Sequence, residues 1–161
     1  MLKLISKIFG TKSQKDIKKM MPLVELTKKE GEQLTSLSHD QLRRKTIEIQ
    51  QFINEQLKPI DDQIAALHAR VTEQPDLDIH EKESIFAEID KLEGQRNKDL
   101  EVVLMEVLPK AFAVVRETAR RFKENEFLEV TATEHDITLS AKNLNIKILI
   151  YLEKKLFLMN I

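Results

Sequence analysis

Apolar residues recur at a regular spacing in the middle of the chain, and this pattern limits what the chain can fold into. Six of them are separated by four, three, four, three and four positions: Ile53, Leu57, Ile60, Ile64, Leu67 and Val71. We call these six residues the seam. Side chains at this spacing share one face of a helix and need a second helix to cover them. The seam therefore predicts helix-on-helix packing.

The covering helix is expected to follow directly in the sequence. Residues 73–78 contain Pro75 and read as a turn, and apolar residues then resume at helical spacing over residues 79–92 and 100–107. The simplest architecture is an antiparallel helical hairpin. Pro59 lies within the seam and is expected to bend or split the first helix, because proline removes a backbone hydrogen bond and clashes with the preceding turn.

Capping signals and another proline mark the helices that precede the hairpin. Ser38 and Gln41 have the spacing of a capping box and predict the start of the long helix. Ser13 and Asp16 form a weaker version, which predicts an earlier helix. Pro22 is expected to kink or restart that earlier helix.

The elements after the hairpin are predicted from proline, apolar patterning and alternation. Pro109 suits the first position of a separate helix over residues 109–123. Residues 127–133 alternate like a strand, residues 134–136 read as a turn, and residues 137–141 read as the returning strand. The predicted fold class is mainly α, with an amphipathic N-terminal helix, a long antiparallel helical hairpin, a buttressing helix and a short β-hairpin.

The glycine and cysteine counts exclude several kinds of site. The chain has three glycines, Gly10, Gly31 and Gly94, and no cysteine. P-loops and dinucleotide-binding loops need closely spaced glycines, because their backbone must approach a phosphate without a Cβ in the way. Neither loop is present in this sequence. Without cysteine the chain also has no disulfide, thiolate metal site or cysteine nucleophile.

Other catalytic arrangements find no support in the sequence. The four histidines are scattered without metal-ligand spacing, and we predict no metal site. Asp61 and Asp62 are adjacent on a helix and point in different directions, so they do not form an acid–base pair. Aromatic residues make up only 5% of the chain and are not interleaved with basic residues, which argues against nucleic-acid binding. The residues alone indicate a binding or structural segment.

Charge is distributed unevenly along the chain. Residues 1–50 have a balance of +5, residues 51–108 a balance of −8 and residues 109–161 a balance of +2. A basic arm ahead of an acidic body suggests that the arm contacts an anionic surface, and a solvated lysine face is the alternative.

Residues 1–9 predict a short amphipathic helix that could lie on a membrane. Its candidate membrane-facing residues are Leu2, Lys3, Ile5, Lys7, Ile8 and Phe9. One short helix of this kind binds anionic lipid weakly and reversibly. The alternative is that it packs on its own domain or on a partner protein. No secretory signal is predicted, because Lys3 and Lys7 interrupt the apolar residues and no small-residue cleavage site follows. No membrane span is predicted, because the most apolar stretch, residues 148–152, is far shorter than the ~20 residues that a span requires.

Three stretches of the sequence are similar to motifs of one known family. Residues 1–20 form a basic amphipathic start that contains Lys-Ile-Phe-Gly. Residues 37–53 are similar to the pattern L-S-[D]-x-x-L-x-x-K-T, in which the matching residues are Leu37, Ser38, Leu42, Lys45 and Thr46. Residues 108–121 contain A-F-A-V-V-R-E, with Thr118 where alanine or serine is commoner. In this order they resemble the N-terminal region of SecA, the ATPase motor subunit of the bacterial preprotein translocase. The residues of the family-signature helix are Ala111, Phe112, Val114, Val115, Arg116 and Glu117.

The resemblance implies a cytoplasmic ATPase that associates peripherally with the inner face of the bacterial plasma membrane. With ATP and Mg²⁺ the full-length family protein moves unfolded preproteins through the SecYEG channel, and it contacts anionic phospholipid. This chain would inherit the amphipathic start and the helices that buttress the first nucleotide-binding domain. It would inherit no catalytic residue and no cofactor site, so we expect it to be inactive as an ATPase alone.

The resemblance also divides the chain into four regions. Residues 1–53 are expected to form basic amphipathic helices, and residues 54–108 an acidic hairpin like the insert of a longer-armed SecA branch. Residues 109–142 would form a helix and a β-hairpin at the start of the first nucleotide-binding domain. Residues 143–161 are expected to be a non-native tail of a truncated or frameshifted product. The alternative function is an autonomous helical-hairpin adaptor that binds a partner through the seam.

Overall fold

The computed structural model describes residues 12–142 and 155–159, and it describes the side chains of residues 12–138. Within these residues the chain forms helices α1 (Lys12–Leu34), α2 (His39–Glu73), α3 (Ile79–Glu124) and α4 (Glu134–Lys142), and strands β1 (Phe127–Thr131) and β2 (Lys155–Met159). The prediction of a mainly α fold is confirmed. The predicted amphipathic helix of residues 1–9 lies outside the described residues.

The prolines do not interrupt the helices. Pro22 lies inside α1, Pro59 inside α2 and Pro109 inside α3. The expectation that Pro109 opens a separate buttressing helix is therefore wrong, as is the expectation that Pro22 restarts its helix or Pro59 splits the seam helix. A proline removes one helical hydrogen bond, and a long helix tolerates this loss when the turns on both sides bury apolar side chains. On α3 these include Val107 and Ala113, which are both buried.

The capping box at the start of α2 is confirmed. The backbone N–H of Gln41 donates to Ser38 Oγ at 3.2 Å, and the N–H of Ser38 donates to Gln41 Oε1 at 2.8 Å. Each residue satisfies a backbone donor that the first helical turn leaves unpaired. The capping role expected for Ser13 is wrong, because α1 already begins at Lys12.

The turn between the two long helices also lies where the sequence predicts it. Helix α2 ends at Glu73 and α3 begins at Ile79. The Asp78 carboxylate accepts a hydrogen bond from the N–H of His80 at 3.0 Å, and Lys82 Nζ donates to the Pro75 carbonyl at 2.6 Å. These bonds satisfy polar groups at the tip of the hairpin.

The predicted β-hairpin is wrong in its second strand. Strand β1 forms as expected, but it pairs antiparallel with β2, with Phe127 opposite Met159 and Thr131 opposite Lys155. Residues 137–141 lie in α4 instead. The physical reason is a helix cap at Thr133, which is described below.

The described residues divide into two compact units, each of which has its own buried residues. The first unit comprises the residues up to Thr46 and those from Pro109 onward, and the second comprises Ile47–Leu108. In the first unit a small core forms from Leu34, Leu42 and Ala113, with Leu37 and Val114 packed against it. Strand β1 adds two further buried side chains, Leu128 and Val130.

The second unit is the helical hairpin formed by parts of α2 and α3. Its buried apolar residues are Leu57, Ile85, Ile89, Val103 and Val107. Among the seam residues Leu57 is only 2% exposed, and the other five are half-buried. Arg96 pairs with Asp61, and Arg70 pairs with Glu81, so ion pairs also join the two helices.

Candidate functional site

Among the described residues of the first unit, a buried polar cluster is centred on Arg121 near the end of α3. Arg121 Nη2 donates to the carbonyls of Leu34 at 3.0 Å and Leu37 at 2.8 Å. Its Nε donates to Glu117 Oε1 at 2.8 Å, and its Nη1 lies 3.0 Å from His39 Nδ1. We call Arg121 and these four partners, together with Arg120, the arginine junction. The junction connects the end of α1 and the following loop to α3, because the planar guanidinium of Arg121 on α3 binds the Leu34 and Leu37 carbonyls.

Glu117 is the anionic member of the arginine junction. Its side chain is 5% exposed and accepts two hydrogen bonds from Arg120, at 2.8 and 2.6 Å, besides the bond from Arg121. The bonds from Arg120 and then Arg121 outweigh the effect of burial and lower the pKa of Glu117 to about 2. Glu117 is therefore ionised throughout the physiological pH range.

The geometry also favours one tautomer of the His39 ring. A guanidinium can only donate, so His39 Nδ1 accepts from Arg121 and the imidazole proton lies on Nε2. In the part of the chain that the structure describes with side chains, every buried side-chain nitrogen and oxygen has a hydrogen-bond partner. The polar groups of the arginine junction thus satisfy one another, which suits a structural clamp.

A second polar cluster fastens β1 to the first turns of α2. The Asp40 carboxylate accepts from the N–H of Thr131 at 2.9 Å and from its Oγ1 at 2.6 Å. Arg43 donates to the Thr131 carbonyl at 3.1 Å and to Asp136 Oδ2 at 2.7 Å. Burial acts to raise the pKa of Asp40, but the bonds from Thr131 and the charges of Arg43 and Arg44 hold it below its usual value.

The start of α4 carries a capping box that the sequence interpretation missed. Thr133 N–H donates to Asp136 Oδ2 at 2.9 Å, and Asp136 N–H donates back to Thr133 Oγ1 at 3.3 Å. Burial acts to raise the pKa of Asp136, but hydrogen bonds from Thr133 and Arg43 lower it below its usual value. The signal was present in the sequence, because Thr133-Glu134-His135-Asp136 has the threonine-to-acid spacing of a cap. The prediction of a turn over residues 134–136 is wrong, because these residues form the first turn of α4.

The family-signature helix, residues 111–117, has one buried side and one exposed side. Glu117 belongs to the arginine junction, and Ala111 and Val114 are half-buried. Phe112 and Val115 remain 57% and 64% exposed, and Arg116 is exposed as well. The structure therefore brings only one of the six predicted residues into the junction. His39 and Arg121, its other main members, were not predicted to act there.

Helix α1 carries an exposed apolar stripe on its N-terminal half. The stripe consists of Ile17, Met20, Met21 and Val24, all more than 40% exposed. The lysines of α1 lie mostly away from the stripe, as the helical period requires. No helix within the described residues is long and apolar enough to cross a membrane.

The two glycines among the described residues do not form a phosphate-binding loop. Gly31 and Gly94 both lie in helix interiors, where the backbone N–H groups take part in helical hydrogen bonds. A Cβ added at either position would meet nothing within 4 Å, so no other part of the described chain packs closely against either glycine. Groups of three or more metal-ligating side chains are also absent from the described part of the chain.

Comparisons with known proteins establish the family. A model of the SecA DEAD-like domain matches residues 5–136, which is most of the chain. The chain belongs to the SecA family. The protein translocase subunit SecA of Cytophaga hutchinsonii is 51% identical over 149 residues, which cover 92% of this chain and 13% of that protein. The SecA subunits of Amoebophilus asiaticus and Flavobacterium psychrophilum are each 42% identical, over 91% and 85% of this chain.

The resemblance inferred from the sequence motifs is thus confirmed. The chain spans only about an eighth of the length of these SecA relatives, 13% of the first two and 12% of the third. No solved structure matches the chain. The predicted membrane-facing residues of the SecA-like start lie outside the described residues, and their role stays a prediction.

Proposed function

We propose that the first unit acts as a helical support for the nucleotide-binding domain of a SecA protein translocase. The observation that carries this proposal is the exposure of Phe112 and Val115 on the family-signature helix. Large apolar side chains that are exposed together mark a surface for further polypeptide. The SecA relative of Cytophaga hutchinsonii is about seven times as long as this chain, so it contains polypeptide that could cover the surface.

The arginine junction explains why such a support would be rigid. Arg121 binds one carbonyl at the end of α1 and one in the following loop, and Glu117 lies on the same helix as Phe112 and Val115. The orientation of α1 is therefore coupled to the helix that presents the apolar surface. A support with fixed geometry can hold a neighbouring domain in one position, whereas a loosely packed helix cannot.

The activity and partners of the whole translocase follow as parts of the same proposal. ATP and Mg²⁺ would be bound by other parts of a full-length SecA, which would contact SecYEG and unfolded preproteins from the cytoplasmic side of the membrane. This chain by itself is expected to show no Mg²⁺-dependent ATP hydrolysis above background. ATP turnover that a substitution within this chain abolishes would contradict that expectation.

A chimeric translocase tests the support function. Residues 5–136 would replace the corresponding segment of SecA from Cytophaga hutchinsonii, and preprotein translocation would be measured. The double change Phe112→Asp, Val115→Asp is expected to reduce translocation and the thermal stability of the nucleotide-binding domain, because it places charges against an apolar contact. Val102→Asp is the matched control, since Val102 is 69% exposed on the same helix within the second unit. Equal translocation by both variants would refute the proposal.

A second candidate function, reversible binding to anionic membrane, is favoured by the apolar stripe of α1. A basic amphipathic helix lies in the interface with its apolar face toward the acyl chains. Binding of the full chain to vesicles of anionic lipid should exceed its binding to neutral vesicles. Lys3→Glu with Lys7→Glu should weaken the charge attraction, and Ile17→Asp with Met21→Asp should weaken apolar insertion. Binding that is insensitive to both pairs and to added salt would rule this function out.

A further inference from the structure

Strand β1 uses its two edges differently. The backbone N–H of Thr131 donates to the Asp40 carboxylate, and the Thr131 carbonyl accepts from Arg43. In a strand the N–H and C=O of one residue point to the same edge, and successive residues alternate between the two edges. Thr131 therefore directs its backbone groups toward α2, whereas Leu128 and Val130 direct theirs to the opposite edge. Strand β2 lies along that opposite edge.

Strand β1 also has one buried face and one exposed face. Leu128 and Val130 are buried, whereas the residues between and beside them are exposed. The register places Leu158 opposite Leu128, and Leu156 opposite Val130. Residues that lie opposite one another in an antiparallel pair share a face of the sheet, so β2 has leucine at both positions of the buried face. Pairing along this edge thus favours apolar residues at alternate positions.

Strand β2 lies outside the part of the chain that matches the SecA family. The family model matches residues 5–136, which include β1 and do not include β2. The edge of β1 therefore belongs to the matched part, and the strand that covers it in this chain does not. A strand edge presents backbone groups that pair with whatever extended segment reaches them. The feature within the family match is thus the edge of β1 and not the strand that occupies it.

The pairing of β2 with β1 is short enough to be exchanged. Each strand has 5 residues, and a two-stranded ladder of this length is only marginally stable by itself. Residues 143–154 connect β2 to α4, which keeps β2 near the edge at an effective concentration on the order of 1 mM. A separate strand therefore replaces β2 when it pairs better than β2 does, or when the pairing of β2 is weakened.

We propose that β2 is a blocking strand, which occupies an edge of β1 that also accepts a separate extended polypeptide with apolar residues at alternate positions. The partner lies antiparallel to β1 and places two apolar residues opposite Leu128 and Val130. Such a partner completes the sheet of the first unit and is not a transported substrate. The site involves neither Phe112 nor Val115, so it does not rest on the support function proposed above.

A synthetic peptide with the sequence of residues 153–161, labelled with fluorescein, tests the edge in the full chain. Leu156→Asn with Leu158→Asn should weaken the pairing of β2, because each change puts a polar amide at a position of the buried face. In fluorescence anisotropy this opened variant should bind the peptide about tenfold or more tightly than the wild type does, because the tethered β2 then competes less. Binding no tighter than that of the wild type would overturn the proposal.

The matched control changes the other face of β2. Phe157→Asn with Met159→Asn introduces the same residue at the positions opposite Glu129 and Phe127, which are both exposed. This control should leave β2 in place and bind the peptide within about threefold of the wild type. Circular dichroism checks that both variants keep their helices, and Leu158→Ala is a milder opening if the double change does not. Equal binding by the control and the opened variant would contradict the proposal.

Methylation of the peptide backbone distinguishes strand pairing from apolar adhesion. In the observed register the amide of residue 158 points toward Leu128, whereas the amide of residue 157 points away from β1. Methylation at 158 should weaken binding to the opened variant about tenfold or more, and methylation at 157 by less than about threefold. Bound peptide should also slow hydrogen exchange at the Leu128 and Val130 amides. Equal effects of the two methylations would show adhesion without strand pairing and overturn the proposal.

Two further measurements exclude other occupants of the edge. The opened variant without peptide should keep the mass of one chain, 18.8 kDa, in sedimentation equilibrium. A doubled mass would show that a second copy fills the edge, and it would overturn the proposal. The Leu128 and Val130 amides should exchange more slowly in the wild type than in the opened variant. Equal exchange rates in the two chains would show that β2 does not block the edge.

Discussion

Replacing Arg121 with alanine should lower the stability of the first unit and leave the stability of the second unit unchanged. The side chain is 6% exposed and makes hydrogen bonds to Glu117, His39 and the carbonyls of Leu34 and Leu37. Removing it leaves two backbone carbonyls without their charged donor, at about 1–3 kcal/mol each. Glu117 keeps Arg120, which limits the electrostatic part of the loss.

The expected total is about 3–5 kcal/mol in the free energy of unfolding of the first unit. This range agrees with the general cost of removing one partner from a buried ion pair. Because unfolding of the whole chain would mix the two units, hydrogen exchange read by mass spectrometry is the suitable assay. Peptides from residues 109–124 should lose protection by about two to four orders of magnitude, and peptides from residues 54–100 should not change.

Two variants make this test specific. Arg116→Ala removes an exposed arginine from the same helix and should change stability by less than about 0.5 kcal/mol. Arg121→Lys keeps the charge but loses the planar fork, so it should fall between the wild type and Arg121→Ala. If Arg121→Ala leaves the protection of residues 109–124 within tenfold of the wild type, the arginine junction does not hold the unit together.

Three further perturbations have expected outcomes. The pKa of Glu117 is lowered to about 2, so its ionised form contributes at most about 3 kcal/mol to the free energy of unfolding. This contribution should be complete above about pH 5 and should be lost as the pH falls from about 4.5 to 2. A titration of stability against pH should therefore be flatter for Glu117→Gln than for the wild type. Thr133→Ala should destabilise the start of α4 by about 1 kcal/mol, seen as faster exchange in residues 134–138. Pro59→Ala should raise the stability of the hairpin by about 1–3 kcal/mol in exchange measurements, because Pro59 is exposed in a helix interior. An unchanged pH profile, unchanged exchange in α4 or a less stable hairpin would contradict these expectations in turn.

Local sequence patterns predicted the helical part of the fold well. The capping box at Ser38, the turn before Ile79 and the end of α3 near Asn125 all depend on contacts within a few residues. The same local reasoning failed at Pro109, because whether a helix continues through proline depends on the packing of the turns on either side. It also failed after β1, where alternation favoured a strand but the Thr133 cap favours a helix.

The candidate site was predicted only in part. The A-F-A-V-V-R-E motif pointed to the correct helix, but it could not show that Glu117 faces inward while Phe112 remains exposed. Arg121 and His39 are 82 positions apart in the sequence, and nothing in either local pattern connects them. Only the packing of three helical segments brings their side chains within hydrogen-bond distance.

The sequence by itself determined the helical class, the family and the segregation of charge, because these depend on residue type, spacing and order along the chain. The tertiary structure decided which strand pairs with β1, which prolines are tolerated and which arginine becomes the centre of the junction. These outcomes depend on the free energy of burying groups that are far apart in sequence. A buried guanidinium is stable only where carbonyls and a carboxylate converge on it, and the folded chain creates that convergence.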